Sequence, residues 1–138
     1  MSGIPLSGRF RLLVGTDMRE RVFKTKGFCA AASKAAIDDR ELCSAIEEIG
    51  RGQADDLGGG VWKKRLNENR HRSIILAKGK FYWVYQFLFA KQNQSNINKQ
   101  ELLAFRKLAR AYEKLNVRQI QMLLDRRDFT EICNEKKD

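Results

Sequence analysis

Residues 57–91 read LGGGVWKKRLNENRHRSIILAKGKFYWVYQFLFAK, and the reading of this stretch organises the rest of the chain. Three glycines, Gly58 to Gly60, open it. Cations crowd its first half, and aromatic and β-branched residues fill its second. From Val61 to Lys91 there are eight Lys or Arg and one acid, Glu68, so +7 of the chain's net +10 lies in under a quarter of its length. Val61–Leu66 reads as a strand with Val61, Lys63 and Arg65 on one face and Trp62, Lys64 and Leu66 on the other. Asn67–His71 reads as a polar turn, Arg72–Ala77 as a second strand, Lys78–Lys80 as a hairpin turn and Phe81–Ala90 as a third strand. Alternation on the third strand groups Phe81, Trp83, Tyr85, Phe87 and Phe89 on one face. Tyr82, Val84, Gln86, Leu88 and Ala90 fall on the other. Apolar residues on both faces predict a central strand.

Working outward, Val22–Thr25 has strand composition. Phe28–Ala36 is Ala-rich and helical, with Phe28, Ala31, Ala32 and Ala35 on one face. Asp38 and Glu41 have capping-box spacing. Leu42, Ile46 and Ile49 then mark the buried stripe of a second helix, and Gly50 is placed to end it in a left-handed conformation. The Gly- and Asp-rich run Arg51–Gly60 is turn chemistry. Beyond Lys91, Asn98 and Glu101 cap a helix whose Phe105, Leu108, Tyr112 and Leu115 recur at helical spacing. Lys99, Arg106, Lys107, Arg110 and Lys114 fall on its outer side. Asn116 and Gln119 can cap another helix, and Phe129–Cys133 reads as a last strand or helical turn. The expected fold is α+β: a small twisted antiparallel sheet, N-terminal helices packed on one face, and a C-terminal helical segment. Residues 1–17 read as an N-terminal extension, loosely held or upstream of an alternative start at Met18, with 18–138 as one domain.

A sequence pI of about 9.8 calls for a polyanionic partner. No apolar run approaches the roughly 20 residues that span a bilayer, and the first residues lack the pattern of a signal peptide. The expected location is the cytoplasm, without membrane contact. Cys29, Cys43 and Cys133 are widely spaced, no CxxC pair occurs, and His71 is the sole histidine. That supply does not make a zinc site, so no metal or cofactor is expected and the cysteines read as buried free thiols.

The same residue supply narrows the chemistry. The GGG run has neither P-loop nor dinucleotide-binding spacing. A two-metal nuclease needs carboxylates that the basic region lacks. RNA cleavage without metal remains open. The 2′-hydroxyl attacks the adjacent phosphate, and clustered cations stabilise the charge that develops. Lys63, Lys64 and Lys91 are candidates to accept a proton, since a lysine among other cations gives up its own more readily. Arg65, Arg70 and Arg72 are candidates to clamp phosphate with planar forks. His71, Tyr82 and Tyr85 are candidates to stack on a base or move a proton.

At this point the ordered motifs RVFKTKGF (21–28), LGGGVWKKR (57–65), FAKQNQSNIN (89–98) and ELLAFRKLA (101–109) resemble the RelE/HigB-type toxins of bacterial type II toxin–antitoxin modules. The resemblance runs from about Met18 to Glu135. It implies ribosome-dependent mRNA cleavage that blocks translation, and inhibition by a cognate antitoxin, expected to be of helix-turn-helix type, through which alone operator DNA is met. By position, Lys63 and Arg65 fall on the family's basic strand, Arg72 on the arginine that opens the next strand and Lys91 on the lysine after the core strand, and these four are the catalytic candidates. Lys64, Arg70 and His71 are RNA- or phosphate-binding candidates beside them. The turn NENRHR is shorter than the family's usual glycine-rich segment. Two alternatives stay open: a ParE-like toxin that inhibits DNA gyrase through protein contact, and a non-catalytic RNA-binding module.

Overall fold

In the computed structural model, which describes residues 20–79 and 82–134, the basic stretch forms the middle of a six-stranded sheet. The elements in chain order are β1 (Arg21–Thr25), α1 (Lys26–Lys34), α2 (Asp39–Gly50), β2 (Asp55–Gly58), β3 (Val61–Leu66), β4 (His71–Lys78), β5 (Tyr82–Ala90), α3 (Lys99–Glu113), α4 (Val117–Asp125) and β6 (Phe129–Ile132). The sheet order is β2-β3-β4-β5-β1-β6. Every neighbouring pair is antiparallel except β1 with β5, which is parallel. The sheet is therefore mixed rather than wholly antiparallel. The excursion through α1 and α2 returns the chain so that β1 and β5 run the same way, and no local pattern signals that pairing. The expected extension at 1–17 with its start at Met18, residues Lys80 and Phe81 of the second hairpin, and the segment 135–138 lie outside the described residues.

Helices α1 and α2 cover one face of the sheet, as expected, and α3 and α4 cover the other. The first core gathers Phe28, Leu42, Ile46, Ile75 and Tyr85. The second gathers Phe23, Ile74, Val84, Ile120 and Phe129. Strand β3 alternates as its sequence predicts: Trp62 and Leu66 join the α1/α2 core while Val61 joins the other. Full burial of side chains such as Leu42 and Ile74 contributes roughly 1.5–3 kcal/mol each.

Strand β5 does not keep one phase. Ile74 pairs with Phe87 and Ile75 with Tyr85, which leaves Gln86 as an extra residue. Such a bulge shifts the alternation by one. Trp83 and Tyr85 consequently enter the α1/α2 core, whereas Phe87 and Phe89 enter the α3/α4 core. The expected single aromatic face is thus split between two cores. Gln86 is used where it falls, its Oε1 accepting a hydrogen bond from the Tyr112 hydroxyl at 2.9 Å.

Caps set the helix ends. Asn98 with Glu101, and Asn116 with Gln119, form complete capping boxes. Asp38 caps α2, but Glu41 does not return the bond; its carboxylate accepts from the backbone N–H of Asn67 instead. Gly50 ends α2 in ordinary helical conformation, and the left-handed residue is Gly52, φ 83°. Part of the run expected as turn is the edge strand β2, paired through Asp55 to Lys63.

The triple glycine has a tertiary purpose. Gly58, Gly59 and Gly60 all have positive φ, at 84°, 64° and 83°. A Cβ on Gly59 would lie 2.8 Å from Cγ of Arg106. Arg106, expected on the outer side of its helix, turns inward and donates to the carbonyls of Leu57 and Gly58. The glycine turn is the seat on which α3 rests.

The cysteines are not all free thiols. Cys43 on α2 and Cys133 just after β6 form a disulfide across 90 residues of chain, leaving Cys29 as the free thiol among the described residues. Only tertiary packing of α2 against the end of β6 brings the two together.

Candidate phosphate-binding face

Strand register decides which cations share a face. On β3 and β4, Lys63 lies opposite Ile74, and Arg65 lies directly opposite Arg72. Arg72 in turn lies opposite Phe89 on β5. Ile74 and Phe89 belong to the α3/α4 core, so Lys63, Arg65 and Arg72 project from that same face. They occupy its open end, next to the β3–β4 turn.

The two arginines differ in exposure. Arg65 is exposed, whereas Arg72 is only 9 % exposed. Arg72 Nη1 donates to the carbonyls of Asn69 at 3.0 Å and His71 at 3.2 Å. Among the described residues its Nε and Nη2 have no protein acceptor, and no carboxylate lies within ion-pair distance. A nearly buried cation without a counter-ion is costly. A phosphate offered to the free edge of its fork would relieve that cost with paired charge-assisted bonds.

The turn that holds Arg72 is conformationally expensive. Asn67, Glu68 and Asn69 are all left-handed, with φ of 57°, 55° and 72°. Asparagine tolerates this region, but glutamate does so poorly. The turn is tied down by the Glu41 carboxylate on the Asn67 N–H, and by the Arg70 N–H donating to the Asn67 carbonyl at 3.0 Å. The backbone N–H of Lys91 donates to the Arg70 carbonyl at 2.9 Å, which brings Lys91 to the turn. Arg70, His71, Lys91 and Gln92 line a cleft of about 580 Å³ there. Arg70 is exposed and donates to Asn67 Oδ1 at 3.1 Å, with Glu68 at 3.4 Å.

The remaining candidates are placed differently. Lys63 Nζ lies 3.2 Å from Asn96 Oδ1 and 3.7 Å from Asp55 Oδ2. Lys64 lies on the α1/α2 side, where it pairs with Glu48 at 2.7 Å. That bond holds the Glu48 carboxyl below its ordinary value. His71 pairs in register with Leu66 and Ala90 and so belongs to the same side as Lys64, with Nδ1 3.1 Å from Asn67 Nδ2. Tyr85 is buried beneath α2, donates to the Leu42 carbonyl at 2.7 Å, and has its phenol pushed up by burial. Tyr82 packs against Phe23 and under Lys78. The fold therefore gathers Lys63, Arg65 and Arg72 on one face, with Arg70 and Lys91 at its turn end. It leaves Lys64 on the other face, while His71 reaches only the cleft.

Asp55 and Asn96 were missed from sequence because each sat in a polar run without periodicity. A larger cleft of about 900 Å³ lies against α2 and β6, where Glu20, Asp39, Glu47 and Glu131 make it unsuited to phosphate. Among the described residues no group of three or more His, Cys, Asp or Glu is placed to hold a metal ion.

A family model described as the RelE toxin of the RelE/RelB toxin–antitoxin system matches residues 20–132. The chain belongs to the RelE toxin family. The match runs from just before β1 to the end of β6, so it includes both helical layers and the cationic strands. As a RelE-family toxin of a type II toxin–antitoxin system, the chain has a cognate antitoxin as partner. Neither curated proteins nor solved structures gave a significant match. Among the described residues of this RelE-family chain, no helix is long and apolar enough to cross a membrane.

Proposed function

We propose that this RelE-family toxin is a metal-independent endoribonuclease that cleaves mRNA on the ribosome and so arrests translation in the cytoplasm. The observation that carries the reading is the cross-strand pair Arg65–Arg72, in which a nearly buried guanidinium keeps its Nε and Nη2 edge without a protein acceptor among the described residues. In the reaction the 2′-hydroxyl gives up its proton, and O2′ bonds to the adjacent phosphorus. The P–O5′ bond then breaks. The products are a 2′,3′-cyclic phosphate and a 5′-hydroxyl that takes a proton in return. Arg72 and Arg65 stabilise the phosphorane charge, with Lys63 and Lys91 as the nearby proton carriers. Arg70 holds the flanking backbone, and His71 offers its ring to a base at the cleft. Preorganised cations at the developing charge supply the largest part of such catalysis. The antitoxin is of helix-turn-helix type and alone carries the pair to operator DNA.

Induction of the Lys63→Ala, Arg65→Ala, Arg72→Ala variant in a bacterial host tests this. Wild type should stop methionine incorporation before thymidine incorporation, and the variant should grow. Because Arg72 is nearly buried, the exposed Arg65→Ala alone provides a folded control, with cleavage slowed roughly 10–100-fold by loss of charge-assisted bonds. A triple variant as toxic as wild type overturns the assignment. Early arrest of thymidine incorporation with an SOS response identifies a gyrase-directed toxin instead.

A further inference from the structure

The segment between β5 and α3 reaches back across the sheet. Residue Ile97 is buried in the α3/α4 core, and Asn98 caps α3, so this segment is fixed at its downstream end. Just before them, Asn96 is held by three bonds. Its Oδ1 accepts from the Ile97 N–H at 2.9 Å, and its carbonyl accepts from Gln94 Nε2 at 2.9 Å. The same Oδ1 accepts from Lys63 Nζ at 3.2 Å. Lys63 lies on β3, two strands away from the strand that precedes the segment.

Asp55 approaches the same ammonium from the edge strand at 3.7 Å. That carboxylate is 64 % exposed, so it contributes little to holding the side chain in place. Yet the Lys63 side chain is only 15 % exposed, which is low for a lysine at the open end of a sheet. A lysine loses much of its rotamer freedom when it is fixed, and a single exposed ion pair does not offset that. The acceptor tied to its own backbone is Asn96, an exposed residue whose Oδ1 is bonded to the Ile97 N–H. It is also neutral, so it orients the ammonium without cancelling its charge. Of the three donors on Nζ, one is bonded to Asn96, which leaves two to turn towards Asp55 or a phosphate.

We infer that Asn96 is a positioning residue: it holds the Lys63 ammonium on the face that Lys63 shares with Arg65 and Arg72. This rests on the ribonuclease reading for its consequence in catalysis, but the positioning itself is observable without turnover. Misplacement of a catalytic group by about 1 Å costs up to roughly 100-fold in rate.

Two measurements separate the possibilities. The first is ¹⁵N-detected NMR of lysine ammonium groups on the intact protein. Lys63, assigned through Lys63→Arg, should give a slowly exchanging signal that Asn96→Ala abolishes and Ser95→Ala leaves intact. A Lys63 signal that exchanges like a free lysine in wild type, or is indifferent to Asn96→Ala, overturns the inference. The second is single-turnover cleavage of mRNA on programmed ribosomes. Asn96→Ala should slow the step roughly 10–100-fold with the half-saturating ribosome concentration within about two-fold. In the Lys63→Ala background, Asn96→Ala should add nothing. Multiplying effects overturn the inference. If wild type does not cleave while the Lys63 signal is protected and Asn96-dependent, the ribonuclease reading falls and the positioning stands.

Discussion

Replacing Gly59 by alanine is the sharpest test of how α3 is seated. Gly59 has φ 64°, and an added Cβ would lie 2.8 Å from Arg106 Cγ, 3.0 Å from its Cδ and 3.4 Å from its Cβ. The left-handed backbone costs an alanine roughly 1–2 kcal/mol. Crowding against the stem of Arg106, whose head is bonded to the Leu57 and Gly58 carbonyls, adds roughly 1–3 kcal/mol. Reduced freedom of the unfolded chain returns about 0.4–1 kcal/mol. The net loss is about 1–4.6 kcal/mol, or roughly 3–18 °C in melting temperature for a chain of this length. Gly50 is the matched control. It ends α2 without positive φ, and a Cβ there meets nothing within 4 Å. Gly50→Ala should raise stability by about 0.5–1 kcal/mol. Circular-dichroism melts and urea titrations of both variants read the two signs directly. Adding Arg106→Ala should recover part of the Gly59→Ala loss relative to Arg106→Ala alone, leaving mainly the backbone cost. A Gly59→Ala protein that melts with or above wild type, or an Arg106→Ala background that relieves nothing, refutes the seating argument.

Other outcomes follow from single contacts. Glu68, exposed and left-handed at φ 55°, should gain stability on change to glycine by roughly 0.5–1 kcal/mol, seen as a higher urea midpoint. Glu48→Gln probes the ion pair with Lys64. Because that bond lowers the Glu48 pKa in the folded state, its stabilisation is present above the unfolded value near 4.5 and is lost as pH falls through the folded value. The variant should therefore be less stable than wild type at pH 6, with the gap narrowing as pH falls below the unfolded value, and a gap independent of pH contradicts this. Tyr112, pushed up to about 12 by burial, should resist ionisation in absorbance titration until the fold opens, and stability should fall as pH rises from 10 towards 12, a fall that Tyr112→Phe reduces. Replacing Cys43 and Cys133 by serine removes a cross-link over 90 residues, worth at most about 4–5 kcal/mol in the chain-entropy account, and should lower the urea midpoint of the oxidised protein only.

Local chemistry was legible in the sequence. Capping pairs at Asn98–Glu101 and Asn116–Gln119, the stripe Leu42–Ile46–Ile49, and the alternation of Val61–Leu66 all depend on neighbours within a few residues, and all appear in the structure. The clustering of cations in residues 61–91 was legible too. What the sequence could not contain is which strand lies beside which. The parallel entry of β1 beside β5, the bulge at Gln86 that splits the aromatics between two cores, and the Cys43–Cys133 bond all depend on pairing between distant segments. The same holds for the site. Charge clustering and the family resemblance together singled out Lys63, Lys64, Arg65, Arg70, His71, Arg72 and Lys91. Strand register then set Lys64 and His71 on one side and Lys63, Arg65 and Arg72 on the other, because successive residues of a strand face opposite ways. The tether from Asn96 to Lys63 and the seat of Arg106 on Gly58–Gly60 came only with tertiary structure. Each joins segments more than 30 residues apart, and nothing in the local sequence of either partner names the other.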